Sequence, residues 1–169
     1  MNSLGLESSR FRPRQQDKHF QFDLNDAQYP DKWLSIESHD LIIMGEVLEH
    51  LYTSPKLVLR CVSTWLSSGG YLIIQTPNAC ALHKRLLMAI GKNPYELIRD
   101  GRTDPGHFRE YTMQELIFFS VEAGFKIREF STHNYFNTIS TLKHKVYNAT
   151  CSILPSGLRE GITLCLQKC

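Results

Sequence analysis

Short apolar runs, separated by stretches carrying charge, proline and glycine, set the rhythm of this chain. DLIIM at 40–44 is continuously apolar after its aspartate, and YLIIQ at 71–75 repeats the pattern. Runs of this kind predict strands covered on both faces in a parallel sheet. Between them, residues 54–68 set Val58, Cys61, Val62, Trp65 and Leu66 on one helical face. Ser54 stands at the cap, Pro55 in the first turn, and Gly69 and Gly70 form the stop. Strand, helix, strand over 40–75 is the crossover unit of α/β architecture, with a right-handed connection.

The flanking segments extend this order. HFQFDL at 19–24 alternates Phe20, Phe22 and Leu24, the period of a strand, and NDAQYPDKW after it is turn-like. ACALHKRLLMAI at 79–90 predicts a helix that stops at Gly91, and residues 91–111 predict a long loop or lid. Thr112 with Glu115 forms a capping box for a helix that Gly124 closes. FKIREF at 125–130 and ITLCLQ at 162–167 predict strands, joined by a segment with turn signals at Asn148 and Pro155-Ser156-Gly157. Residues 1–18, with the basic stretch Arg10, Arg12, Arg14 and Lys18, read as a flexible, solvated tail.

Composition narrows the class. With 169 residues, 42% hydrophobic and 21% charged, the chain has the profile of a globular domain, and a net charge of +2 gives no reason to expect nucleic acid as a partner. No run approaches the length of a membrane span, and the amino terminus lacks the apolar segment of a signal peptide. Cys61, Cys80, Cys151, Cys165 and Cys169 are odd in number and without a C-x-x-C pair, so neither a disulfide framework nor a zinc knuckle is expected. The expected location is the cytoplasm.

Candidate chemistry gathers where DLIIM ends. Ligands of open parallel sheets bind beyond the carboxyl ends of the strands, and here the strand releases Gly45, Glu46, Glu49 and His50 at that rim. On the residues alone, Glu46 and Glu49 also suit the first turn of a helix, and His50 suits a cap or a packing position. There is no H-E-x-x-H and no G-x-S-x-G, so metal-dependent hydrolysis and Ser-His-Asp chemistry have no support.

DLIIMGEVLEHL followed by a helix and LSSGGYLIIQTPN resembles the fourth- and fifth-strand region of class I S-adenosylmethionine-dependent methyltransferases, especially the small-molecule group that includes ubiquinone-pathway O-methyltransferases. HFREYTMQELIFFSVEAGFKI is similar to the later helix and sixth strand of that group, and LREGITLCLQK to its closing strand. The resemblance covers roughly residues 19–168. It implies a Rossmann-like α/β sheet with an antiparallel carboxyl-terminal strand pair, S-adenosylmethionine as cofactor and a small-molecule methyl acceptor.

Carried over residue by residue, the resemblance makes Asp23 the acceptor of the adenine amino group, with Leu24 lending its backbone and an apolar contact. Met44, Gly45 and Glu46 then line the methionine side. On the residues alone, Asp23 equally ends a strand and caps a turn. Asn78 in the Thr76-Pro77-Asn78 turn and Arg109 are candidate substrate-binding residues, although the first also reads as a plain turn residue and the second as a surface partner of Glu110 or Glu115. His107 is the candidate base and His50 the second. The transfer itself needs no metal, so none is assigned.

The resemblance also exposes a gap. Such domains open with a strand and an acidic G-x-G turn, whereas Gly5 is the sole glycine before Gly45. The expectation is therefore a sheet lacking its first strands and Gly-rich loop, an apolar open edge on DLIIM, and a chain truncated at its amino terminus and impaired in activity. On this reading residues 19–169 are the carboxyl-terminal part of the domain, and a homo- or hetero-oligomer could cover the edge. The competing reading is a non-catalytic remnant that acts as an interaction module.

Overall fold

The computed structural model describes residues 3–4, 18–101, 105–134 and 155–169. Most of the expected tail and the turn at Asn148 lie outside these residues. In chain order the strands are β1 (Ser3–Leu4), β2 (His19–Phe20), β3 (His39–Gly45), β4 (Leu66–Pro77), β5 (Phe125–His133) and β6 (Gly161–Lys168). The helices are α1 (Pro55–Thr64), α2 (Leu82–Ala89) and α3 (Met113–Glu122).

Alternation along the strands builds one mixed sheet in the order β3-β4-β6-β5. β3 runs parallel to β4, as the crossover through α1 requires, while β6 is antiparallel to both β4 and β5. Met44 of β3, Leu72 and Ile74 of β4, and Ile162, Leu164 and Leu166 of β6 turn inward and meet Val58, Leu59 and Val62 of α1 and Leu116 of α3 in one apolar cluster. At about 25 cal/mol per Å² of apolar surface removed from water, this shared face is the main stabilising term of the domain. Cys61 is buried in the same cluster, and burial pushes its thiol up to about 12, so it serves as packing rather than as a nucleophile.

Three expectations need correction. HFQFDL does not form one strand: only His19–Phe20 pairs, in parallel with Ser3–Leu4, and residues 24–28 wind into a 3₁₀ turn. The reason is local, because Asp23 Oδ1 accepts the Asn25 N–H at 2.9 Å and starts the turn where the alternation would otherwise continue. Pairing of HFQFDL beside β3 is therefore not observed.

Second, α1 ends at Thr64 rather than at the glycines, and β4 takes in Gly69 and Gly70. Trp65 is 1% exposed and donates its indole N–H to the Leu34 carbonyl at 2.9 Å, which stops the helix a turn early. Gly70 lies so close to the neighbouring backbone that a Cβ would meet the Ser67 and Asp40 carbonyl oxygens at 3.0 and 3.2 Å.

Third, β3 is not covered on both faces. Ile42 and Met44 face inward, but Leu41 and Ile43 are 50% and 67% exposed on an edge strand. Among the described residues no strand pairs with the outer side of β3, which is the apolar open edge expected from the sequence. No helix among the described residues is long and apolar enough to cross a membrane.

Candidate functional site

Parallel pairing brings the carboxyl ends of β3 and β4 together, with Gly45 opposite Gln75. The Glu46 N–H donates to the Gln75 carbonyl at 2.8 Å, and Glu46 adopts φ +53°, a left-handed conformation that costs a non-glycine residue of order 1–3 kcal/mol. The chain then folds through a 3₁₀ turn at Leu48–His50. This sharp reversal, rather than a regular helix, carries the acidic residues under the rim.

Glu49 is fully buried. One carboxylate oxygen, Oε2, accepts the Thr76 hydroxyl at 2.8 Å, whereas Oε1 has no hydrogen-bond partner. A buried acceptor left in this state costs about 1–3 kcal/mol, and more when charged. Glu46 lies beside it, and its carboxyl is pushed up to about 7 by burial, by the Glu49 charge, by hydrogen bonding with Glu49 and by the Glu110 charge.

The 105–111 segment closes over this turn. Phe108 N–H donates to the Glu49 carbonyl at 2.7 Å, and Arg109 N–H reaches the same oxygen at 3.3 Å. His50 Nδ1–H donates to the Gly106 carbonyl at 3.0 Å, since a carbonyl can only accept. His107 Nδ1 faces the Glu110 carboxylate at 3.2 Å, and Glu110 is also paired with the buried Lys84. In each imidazole the Nδ1 side is thereby engaged. The two rings stand edge to face with centroids 4.8 Å apart. His50 and His107, named from the sequence, thus meet in space.

Alongside, Leu51, Tyr52, Pro55, Phe108, Arg109 and Tyr111 line an open groove of about 480 Å³. Tyr52 and Phe108 pack edge to face at 5.8 Å, and the Arg109 guanidinium lies 5.6 Å from the Tyr111 ring centre. Arg109 donates to Glu115 at 2.6 Å, so the surface pairing read from the sequence is present while the guanidinium still borders the groove.

Asp23 and Leu24 join the same end of the sheet through their neighbour. Asn25 Oδ1 accepts the Tyr52 and Thr53 N–H groups at 2.9 and 3.3 Å, and the Thr53 hydroxyl donates back to the Asn25 carbonyl at 2.8 Å. Asp23 itself is exposed and caps the turn. Met44 is buried, and a Cβ added to Gly45 would meet nothing closer than Gln75 Oε1 at 3.8 Å, which leaves room for a ligand to approach that backbone.

The Asn78 side chain is engaged within the protein. It is 3% exposed, its amide donates to the Gly157 and Arg159 carbonyls at 3.1 and 2.8 Å, and its Oδ1 accepts the Cys80 N–H at 2.9 Å. It anchors the loop before β6. Glu49, Thr76, Glu110 and Lys84 are the members of the cluster whose roles sequence reasoning missed. The spacing of Glu46, Glu49 and His50 was a signal for the first of them; the Lys84–Glu110 pairing had none.

Comparison with known proteins places the fold. The sequence profile of the family described as "Methyltransferase domain" matches residues 3–129. A probable S-adenosylmethionine-dependent methyltransferase of Mycobacterium tuberculosis is 31% identical over 88 residues, which span 52% of this chain and 27% of that protein. The structure is similar to a crystal structure of an S-adenosylmethionine-dependent methyltransferase from Mesorhizobium loti, with a TM-score of 0.60 and 15% identity over 99% of this chain and 80% of the other. One from Archaeoglobus fulgidus gives 0.53 and 19%, over 89% and 67%.

Proposed function

Since the chain belongs to the methyltransferase domain family, we propose that it takes part in methyl transfer from S-adenosylmethionine to a small apolar acceptor that carries an oxygen or an anionic group. When bound, that cofactor supplies a methyl group activated on a positively charged sulfur. The observation that carries the reading is the convergence of Gly45, Glu46, His50 and His107 at one end of the sheet, beside an aromatic-walled groove.

The residues at this end fit an adenosine-bearing sulfonium. The exposed Asp23 carboxylate suits an exocyclic amino group, and the Leu24 backbone and side chain suit the purine ring. Gly45 presents bare backbone above the buried Met44, and Glu46 adds a carboxyl group that favours a nearby cation. Arg109 holds an anionic substituent of the acceptor, while the aromatic walls exclude water from its apolar part. His107 Nε2 takes the proton from an acceptor that must lose one, its ring being oriented by Glu110, and His50 is the second base. Asn78 shapes the rim without touching the acceptor.

Calorimetric titration of the full chain with S-adenosylmethionine tests the reading. Asp23→Asn keeps an oxygen for the cap but replaces the second acceptor with a donor, so affinity should fall by about tenfold while the fold persists. Failure of the wild-type chain to bind at millimolar cofactor would overturn the proposal, and equal affinities would remove Asp23 from it.

A further inference from the structure

We propose that Glu49, His50 and His107 form a binding site for a divalent first-row transition cation of the zinc and cobalt class. One ligand atom from each of the three lies within 4.8 Å of the other two. Ligands of a tetrahedral zinc site stand about 3.3 Å apart, given metal–ligand distances near 2.0–2.1 Å, so modest side-chain rotations close the site. A carboxylate with two imidazoles is the donor set of zinc centres that keep a position open.

Proximity alone would be weak evidence; the supports around each donor strengthen it. Glu49 is completely buried, with Oε2 held by Thr76 and Oε1 facing no donor. Without a cation this buried carboxylate has only the Thr76 hydroxyl and the hydrogen bond with Glu46, and a cation would compensate its charge in full. Each imidazole has its Nδ1 engaged at the other side of the ring, His50 by the Gly106 carbonyl and His107 by Glu110, which leaves the opposite nitrogen as the ligand. Carbonyl and carboxylate partners on the far nitrogen are what orient ligating histidines. Lys84 balances the outer charge on Glu110. Every donor is thus held at the atom that would not touch the metal.

The site also refines the acceptor, and this part rests on the methyl-transfer reading. A cation with an open position beside the aromatic groove selects an acceptor that presents a hydroxyl oxygen. Its proton leaves to water, the oxygen electron pair forms the bond to the methyl carbon, and the carbon–sulfur pair departs with the sulfur. With the cation bound, His107 and His50 position it, and the base roles given to them above belong to the metal-free chain.

Addition of Co²⁺ to chelator-treated, full-length chain tests the site, because cobalt in a nitrogen and oxygen environment absorbs in the visible. A saturable 1:1 spectrum that Zn²⁺ abolishes and Mg²⁺ leaves in place is expected. His107→Ala, at a partly buried position, should weaken binding by a hundredfold or more, and Glu49→Gln, which keeps the side-chain volume, should do likewise. Glu110→Gln should weaken it by about 10–100-fold through loss of orientation alone. Absence of a spectrum in the folded wild-type chain, or unchanged affinity in His107→Ala and Glu49→Gln, would overturn the site. Cofactor affinity measured without metal separates the two proposals, since its loss sinks methyl transfer and leaves the cobalt result standing.

Discussion

The two edges of the sheet were built for different surroundings. β5 ends the sheet on one side with Lys126, Arg128 and Glu129 along it, an irregular register between Ile127 and Glu129, and Arg128 tied to Gln167 of its neighbour at 2.7 Å. Charge and irregularity are how proteins keep an edge from pairing with another chain. β3 ends it on the other side with Leu41 and Ile43 largely exposed. Its irregularity lies at its start, between His39 and Leu41, and leaves the apolar stretch regular. One edge carries defences against a further strand and the other invites one, so β3 has the composition of an interior strand although no strand among the described residues pairs with its outer side.

Substitutions on the two sides of the sheet should differ in their effects. Phe125 at the start of β5 is 3% exposed and anchors the defended edge to the core, so Phe125→Ala should cost about 3–5 kcal/mol in urea unfolding. A loss below about 1 kcal/mol would mean that this edge is no better rooted than the other. α3 packs on β5 and opens with a complete capping box, Thr112 Oγ1 accepting the Glu115 N–H at 3.2 Å and Glu115 Oε2 accepting the Thr112 N–H at 2.9 Å. Thr112→Ala should destabilise by about 1 kcal/mol in the same measurement.

Glu115 adds a pH dependence to that side. Burial pushes its carboxyl up, but the Thr112 N–H, Arg109 and the Thr112 hydroxyl outweigh burial and hold it below the ordinary 4.5. A folded carboxyl depressed in this way contributes stability that is complete above its unfolded value and lost as pH falls through its folded value. Glu115→Gln should therefore flatten the acid limb of the stability curve and converge with wild type at low pH; a difference that grows on acidification would refute the sign.

The smallest stability effect belongs to the bare edge. Ile43→Lys should change unfolding free energy by no more than about 0.5 kcal/mol, because the side chain is already in water. It should nevertheless lower concentration-dependent association in sedimentation velocity, which Arg128→Lys on β5 should leave alone. Equal association in both variants would erase the distinction between the edges.

Much of this layout was legible from residue order. The β3, α1, β4 unit, the capping box, β5 and β6 all follow from local periodicity and cap chemistry, which act within a few residues. Where expectation failed, a distant contact decided one case, Trp65 finding Leu34 and ending α1, and a side-chain bond two residues away decided the other, the Asp23 cap turning 24–28 away from extended pairing. The site was half visible. Glu46, Glu49 and His50 stand together in the chain, but the orphaned Glu49 oxygen needs the burial created by Thr76 and the 105–111 segment.

The sequence by itself determined the order of elements, the apolar character of β3 and the rim residues that follow it, because strand period, turn residues and helix caps are properties of neighbours in the chain. Only the tertiary structure decided that His50 and His107 face each other, that Glu110 and Lys84 stand behind them, and that the Asn78 side chain anchors the loop before β6. Those outcomes depend on segments brought together by packing, and no local pattern encodes which distant partner a buried polar atom will meet.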